Sequence, residues 1–401
     1  MKWSPQQERA LARVAAWLHF DRDKPFFLLD GWAGTGKTEL AKHFAEGVEG
    51  RVHFVSYTGK AASVLRERGC PNATTIHSLI YCPADKSRKH LRDLENYRKT
   101  VEAMPDSPKK LQELASVDSN IQAEKENLKR PGFSLNQESP LRGSSLLVLD
   151  EYSMVDDATG NDLLSFGVPI LALGDREQLP PVFGVGRFTR EQPDFQLTEI
   201  HRQARDNPII RLATDVREGR TLAYGDYGAS SVVKSLEPEE VLEADQILVG
   251  RNATRTASNR RVRELKNLQQ RSPFPLEGER LVCLRNNHEL GLLNGGIYIA
   301  TADATDLDNF INLNLVPEGG GPPIYVSAHR EHFLGRGKEI DVWFRRDAEE
   351  FDFAWAMTVH KFQGSQAKKI VLFDEWFSAN RQQWLYTGLT RAQEWIKVVR
   401  R

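Results

Sequence analysis

The residues best suited to chemistry lie in one short stretch, GWAGTGKT at 31–38. Gly31, Gly34 and Gly36, with Thr35 between the last two, let a backbone wrap closely around phosphates, with its N–H groups and a following helix N-terminus facing the anion. Lys37 is placed to reach the β- and γ-phosphates of a nucleotide, and Thr38 to hold Mg²⁺. An ordinary Gly-rich turn is the other reading. The flanks favour phosphate binding: the apolar run PFFLLD (25–30) precedes and the helix-compatible ELAKHFAEGV follows, the strand–loop–helix context that G-x-x-x-x-G-K-T requires. A second apolar run, SLLVLDE (145–151), ends in two carboxylates. Asp150 suits a Mg²⁺ contact and Glu151 suits polarising an attacking water. A solvated strand end is the default for such a pair alone; after a phosphate loop it reads as a nucleoside-triphosphatase site. A third run, ILALGDREQLPPV (170–182), puts Gln178 at its exit. Gln178 there can sense the γ-phosphate, or belong to a polar turn before Pro180 and Pro181. The cofactors expected are ATP and Mg²⁺.

Other residues suit contact with a polyanion. RNATRTASNRRVR (251–263) holds five arginines and no acid. They can pair with phosphates in a salt-dependent, sequence-tolerant way, or form a solvated helix face. Net charge is −1, so any nucleic-acid surface is a local groove and not a global field. His77 and His360, taken alone, read as satisfied buried histidines. Phe133, in PGFSLNQESPL (131–141), is either a core anchor or an aromatic able to cap a base pair.

The elements that must position these groups follow from periodicity. Apolar runs at 26–29, 52–55, 146–149, 170–173, 247–249, 370–373 and 396–399 alternate with helix-compatible stretches. That pattern predicts parallel α/β sheets. Two insertions interrupt it. At about 82–143, Leu91, Leu94, Tyr97, Val101 and Met104, then Leu111, Leu114, Val117 and Ile121, recur at helical spacing around MPDSP. This predicts a charged helical hairpin, either a decoration or a DNA-contacting element. At about 280–345, short strand-like runs surround Asn294-Gly295, a tight-turn signal. Hydrophobic residues at 40% and charged residues at 27% describe a globular chain. No apolar run approaches the roughly 20 residues of a membrane helix, and MKWSPQQERALARVAAWL lacks a signal-peptide pattern. Three scattered cysteines argue against a zinc site or disulfide framework.

The order of motifs resembles superfamily 1 helicases, specifically the RecD/Dda-like 5′-to-3′ branch (superfamily 1B), from Gln7 to Arg391. GWAGTGKT is similar to motif I, SYTGKAASVLRERG with TTIHSLIY (56–81) to motif Ia and its extension, and LDEYSMVD (149–156) to motif II. GDREQLPPV is similar to motif III, LTEIHRQARDNPIIRLATDVREG (197–219) to motif IV and the helix after it, WAMTVHKFQGSQAKKIVLF (355–373) to motif V, and YTGLTRAQ (386–393) to motif VI. Tyr152 and Phe362 depart from the family pattern, and Phe362 is expected to alter strand contacts.

The resemblance implies two RecA-like P-loop NTPase domains in tandem, α/β in class, with ATP between them. The expected division is 1–198 with an inserted helical/wedge subdomain (1B, about 82–143) and 199–401 with an inserted SH3-like β subdomain (2B, about 280–345). It implies that Gln7 reads the adenine edge, that Arg202 and Arg391 reach the γ-phosphate from the second domain, and that Gly364 joins the nucleotide contacts. Thr58, Lys60, Thr75 and His77, with Thr358, His360, Lys361, Gln363 and Ser365, are expected to line a single-strand channel. Arg251, Asn252 and Asn259 are expected to contact DNA, and Phe133 to be the wedge. The implied activity is ATP-dependent 5′-to-3′ movement on single-stranded DNA with duplex unwinding. Its partners are single-stranded DNA and single-/double-strand junctions, with replication or recombination proteins possible and no membrane. The expected form is a monomeric motor in the cytoplasm, of a cell or of a phage host. The alternatives are a non-unwinding translocase, a subunit of a recombination or repair complex, an RNA helicase, or a small-molecule phosphate-loop kinase. The motifs after residue 198 argue against the last.

Overall fold

A computed structural model of the chain describes residues 3–400 except 22–23, 71, 84–88, 130–132, 182–183, 185, 200–206, 288, 342–343, 346 and 376–379, and omits the side chains of 83, 89–90, 125–129 and 133. The described residues form two compact units, 1–79 with 140–401, and 80–139.

The chain opens with α1 (Pro5–Phe20), whose start is fixed by a capping box between Ser4 and Gln7. Next come β1 (Phe26–Gly31), α2 (Lys37–Glu46), β2 (Val52–Ser56), α3 (Gly59–Glu67) and β3 (Thr74–Thr75). α4 (Ile76–Ile80) leads to the inserted unit of β4 (Tyr81–Pro83), α5 (Lys89–Glu102), α6 (Pro108–Lys129) and β5 (Phe133–Leu135). The main unit resumes with β6 (Leu146–Asp150), α7 (Asp157–Leu164), β7 (Ile170–Gly174) and β8 (Phe195–Leu197).

These strands build a sheet of order β3-β2-β6-β7-β1-β8, parallel throughout. Every residue of β1 and β7 is buried. A parallel sheet is covered by helices on both faces, so its central strands read as continuous apolar runs. The adjacency of β6, β7 and β1 sets Asp150, Gly174 and the GWAGTGKT loop side by side at their carboxyl ends, where open α/β sheets bind ligands.

The second sheet draws on α8 (Pro208–Arg217), β9 (Gly225–Tyr227), β10 (Ser230–Val233), α9 (Pro238–Glu243), β11 (Gln246–Val249) and α10 (Asn252–Leu265). Six strands then intervene: β12 (Arg280–Cys283), β13 (Ile297–Ala300), β14 (Thr305–Leu307), β15 (Phe310–Pro317), β16 (Ile324–His329) and β17 (Phe351–Phe353). β18 (Ala356–Thr358), β19 (Ala367–Asp374), α11 (Arg381–Leu389) and β20 (Ala392–Arg400) complete the chain. The second sheet has order β18-β11-β19-β20-β10-β9, parallel except at β9–β10. The intervening strands form a separate antiparallel sheet, β14-β15-β13-β12-β17 with β16 on β15, around Leu281, Leu292, Leu313 and Phe351. The turn at 294–295 is present, with Gly295 at φ +84°.

The 80–139 unit pairs α5 with α6 through Leu91, Leu94, Val117 and Ile121. Arg98 bonds Asp118 at 2.6 Å across the pair. The chain turns at 104–107, but Tyr97, Met104 and Leu111 are exposed, so the apolar face is narrower than the spacing predicts. No described helix is long and apolar enough to cross a membrane.

Candidate nucleotide site and nucleic-acid face

A cavity of about 510 Å³ opens at the carboxyl ends of the first sheet. Gly34, Thr35, Gly36, Lys37 and Thr38 form one wall, Asp150 and Glu151 another, and Gln7 and Gln178 close its edges. Gly364 and Arg391 enter from the second sheet's side. Gly36 caps α2 in the left-handed region at φ 78° with no side-chain cap, leaving the helix's first N–H groups for an anion. Lys37 Nζ donates to the carbonyls of Gly31 and Trp32 at 2.5 and 3.1 Å.

Electrostatics at the sheet end are set by burial. The Asp150 carboxyl is pushed well above the usual carboxylate range, first by burial and then by neighbouring Glu151; Lys37 and Arg68 pull it back. Asp175, just beyond β7, is raised to about 6 by burial, opposed by Lys37 and by a 2.6 Å hydrogen bond that Tyr386 Oη donates to Oδ2. The same Tyr386 oxygen accepts from the Ala33 N–H at 3.3 Å, so α11 touches the phosphate loop. Glu151 holds a left-handed backbone at φ 60°, which costs an L-residue about 1–2 kcal/mol. Its carboxylate faces Arg391 Nη1 at 3.7 Å. Arg391 Nη2 donates to Gln178 Oε1 at 3.1 Å, and its Nε donates to the Thr387 carbonyl. One guanidinium of the second sheet thus joins two groups of the first.

Further contacts cross at the same seam. Thr387 Oγ1 accepts from the Leu179 N–H, and Gln363 Nε2 donates to the Leu179 carbonyl. Leu179 itself is packed into the second sheet's core with Trp384 and Leu389. Gly364 sits against α3 so tightly that a Cβ would lie 2.7 Å from Ala61 Cβ.

Sequence reasoning missed several groups here. Trp3 and Arg68 line the cavity; an aromatic shortly before Gln7 was the available signal for Trp3, and nothing in the sequence singled out Arg68. Tyr152, noted only as a departure from pattern, donates to buried Asp30 at 2.6 Å and packs its ring on Gly174. Gln7 lines the cavity, but its amide already serves the fold: Nε2 donates to the Thr35 carbonyl at 3.1 Å and Oε1 accepts from the Ser4 N–H. Arg202 lies outside the described residues. The same holds for the Phe133 side chain, whose backbone pairs with Pro83 in the β4–β5 ribbon.

The residues expected to meet DNA divide into two groups. Thr58 caps α3 through the Ala61 N–H, with Lys60 half-buried beside it. Half-buried His77 packs edge-on to Tyr57; burial lowers the pKa of both His77 and His360, favouring neutral rings. Thr358 accepts from the Lys361 N–H, and Lys361 Nζ donates to Asn294 Oδ1. Arg251 and Asn252 are exposed at the start of α10.

The second group is buried or engaged within the fold. Asn259 is 4% exposed, and its amide is taken up by the Phe353 and Ala356 carbonyls and the Ala356 N–H. Gln363 is spent on Leu179. Ser365 and Thr75 are buried, Thr75 bonding Ser78. Phe362, 2% exposed, packs in the second sheet's core. Part of the basic run is paired within the fold: Arg255 with Asp352 and buried Arg263 with Glu279, while exposed Arg260 and Arg261 share Glu264. Glu264 follows the run directly, whereas Asp352 and Glu279 lie farther along the chain, where a local reading does not see them.

A phosphate loop and an arginine meeting across two α/β sheets define a nucleotide-binding protein of the P-loop class. Residues 2–237 match the family described as AAA domain, and 353–399 match the UvrD-like helicase C-terminal domain. The chain belongs to the AAA domain family. It is 28% identical over 403 residues to the ATP-dependent RecD2 DNA helicase of Deinococcus radiodurans, covering 92% of this chain and 46% of that protein. The chain therefore spans about half the length of that curated relative. Among solved structures, Pif1 helicase described at forked duplex DNA superposes with a TM-score of 0.55 at 18% identity, over 100% of this chain and 92% of that one. Pif1 of Candida albicans gives 0.53 at 20% identity over 100% and 94%. Bacteroides Pif1 bound to single-stranded DNA gives 0.54 at 18% over 100% and 92%. At these identities the likeness establishes the fold. The superfamily 1B resemblance read from the motifs thus has a RecD-type relative and a Pif1-like fold behind it.

Proposed function

We propose that this chain is an ATP-dependent DNA helicase that moves 5′-to-3′ on single-stranded DNA and opens duplex ahead of it. The observation that carries the reading is the single cavity shared by Lys37 of one sheet and Arg391 of the other. Residues 1–198 and 199–401 act as the two motor halves, the insertions at about 82–143 and 280–345 as accessory subdomains. Lys37 binds the β- and γ-phosphates, Glu151 orients water, and Gln178 with Arg391 stabilises charge on the transferring phosphoryl group. Arg202 is the expected second arginine. Gln7 and Trp3 border the base end, with Gly364 closing from motif V.

Thr38 and Asp150 fit a Mg²⁺ site. Asp150 is a half-buried carboxyl beside a second carboxylate, an arrangement that favours a cation. Mg²⁺ needs only one or two carboxylates plus phosphates. When bound it would neutralise phosphate charge.

Motion follows from differential contact. Arg391 completes the site only when the seam is closed, so nucleotide favours closure and product release favours opening. Thr58, Lys60 and His77 on one half, and Thr358, His360 and Lys361 on the other, would grip the strand in alternation. The Deinococcus relative's name and the Pif1 structures with single-stranded and forked DNA support DNA as the track and a junction as the substrate. The proposed form is a monomer working in the cytoplasm, with replication or recombination proteins as further partners.

The test is unwinding of matched 5′- and 3′-tailed duplexes, in DNA and in RNA, with ATP. Unwinding of the 5′-tailed DNA alone is expected. Preference for the 3′ tail would overturn the polarity, and preference for RNA would overturn the substrate.

A further inference from the structure

The phosphate loop carries a tryptophan that touches no part of the cavity. Trp32 is half-buried, and its ring is covered by the guanidinium of Arg217, whose Cζ lies 3.4 Å from the ring centroid. Arg217 ends α8, in the helix layer of the second sheet, with its side chain only 10% exposed. Its carbonyl accepts from Gln382 Nε2 of α11 at 2.7 Å. α11 also carries Tyr386 and leads directly to Arg391. Arg217, Tyr386 and Arg391 therefore ride on one packed block.

The other end of Trp32 is wired to the reactive lysine. Its carbonyl accepts from Lys37 Nζ at 3.1 Å, from Thr35 Oγ1 at 2.8 Å and from the Thr35 N–H at 3.3 Å. Its N–H donates to the Leu197 carbonyl at 3.2 Å. A shift of the Trp32 backbone that follows its ring would move the peptide on which the Lys37 ammonium and the Thr35 turn rest. The block holds the next residue too, since Tyr386 Oη accepts from the Ala33 N–H.

We propose that Arg217 is a positioning residue that, through the Trp32 ring, lets closure of the second sheet's block set the shape of the phosphate loop and the place of Lys37. This rests on the reading of the cavity as a site of ATP hydrolysis between two moving halves. A cation over an indole face is the strongest of the cation–π pairings and strengthens when desolvated. ATP meets the loop before the halves close. A contact completed only on closure therefore acts on kcat and leaves KM for ATP nearly untouched.

The experiment is a double-mutant cycle of Arg217→Ala and Trp32→Leu, read as kcat and KM for ATP with saturating single-stranded DNA, with Arg217→Lys as the conservative variant. Thermal unfolding is followed for each protein. Arg217→Ala is expected to lower kcat about tenfold, as loss of a largely desolvated cation–π contact would, with KM shifted less than about twofold. Arg217→Lys recovers much of the loss, because an ammonium also binds the ring face. In the Trp32→Leu background Arg217→Ala adds nothing further. Effects that multiply, an unchanged kcat, a loss confined to KM, or a loss that tracks thermal unfolding and is not relieved by lysine each overturn the proposal. Wild-type turnover indifferent to DNA would sink the motor reading while leaving the cycle readable. A wild type without turnover sinks both.

Discussion

Lys37 and Arg263 are both cations that the sequence offered, one in a loop and one in a basic run, and the fold treats them in opposite ways. Lys37 rests on two carbonyl oxygens at the edge of a cavity. Arg263 is 1% exposed, bonded to both oxygens of Glu279 and to the Ser272 and Phe274 carbonyls, and stacked over Phe353. The loop's glycines and helix start fix the surroundings of Lys37 from within eight residues. The surroundings of an arginine on a helix are fixed by whatever packs against that face, and Glu279 comes from outside the run. A cation is legible as functional when its local backbone dictates what it faces.

The largest effect should sharpen the first half of that contrast. Arg391→Ala removes the charge that reaches Glu151 and Gln178 across the seam. DNA-stimulated ATP turnover should fall by about 10³-fold or more, as for other arginines supplied to a phosphoryl-transfer site, while nucleotide binding measured at equilibrium changes much less. A loss below tenfold would remove Arg391 from the hydrolytic machinery.

The same contrast explains what the sequence disclosed. The apolar runs of β1, β6 and β7 declared themselves because parallel strands are buried on both faces. Their adjacency gathers Lys37, Asp150 and Gln178 around one cavity, so which residues share it could be read from the strand ends. The hydrogen bonds and ion pairs that engage Asn259, Gln363, Arg255 and Arg263 were not legible because their partners, Phe353, Leu179, Asp352 and Glu279, lie well outside the motifs that carry them. Tyr152 and Phe362 looked like departures from a pattern and are core residues, and periodicity does not say which buried aromatic also carries a hydrogen bond.

Breaking the second half of the contrast should cost stability instead of binding. Arg263→Met strands the Glu279 carboxylate in a buried site. Removing one partner of such a pair costs about 3–5 kcal/mol, read as a lower denaturant midpoint at unchanged slope. The double variant Arg263→Met with Glu279→Gln should recover part of it. If Arg263→Met weakened DNA binding without moving the midpoint, the arginine would be a strand contact after all.

A smaller effect tests whether the site side is as rigid as its hydrogen bonds suggest. Tyr386→Phe deletes the bond to Asp175. With its folded pKa raised to about 6, Asp175 binds a proton more readily in the folded than in the unfolded chain. Its contribution is therefore fully present below the ordinary carboxylate range and is lost as pH rises toward 6. The tyrosine hydroxyl opposes that loss by favouring the ionised form. The variant should cost about 1 kcal/mol at pH 5, where the bond is neutral, and about 2 kcal/mol at pH 8, where it is charge-assisted. Unfolding midpoints at the two pH values decide it; a cost that shrinks as pH rises would mean Tyr386 stabilises the protonated carboxyl.

The smallest effect compares an exposed arginine of the basic run with a half-buried one. Arg251 lies exposed at the N-cap of α10, while Arg255 in the next turn pairs with Asp352 at 2.6 Å. If the start of α10 meets a strand, Arg251 neutralises one phosphate and displaces its counterion. Arg251→Ala should then reduce the slope of log K against log salt for single-stranded DNA by about 0.7, weaken binding only a few-fold at about 0.1 M salt, and leave the unfolding midpoint alone. Arg255→Gln should do the reverse, moving the midpoint and sparing the slope. Equal slopes for wild type and Arg251→Ala would show that the whole run, and not just its buried part, serves the fold.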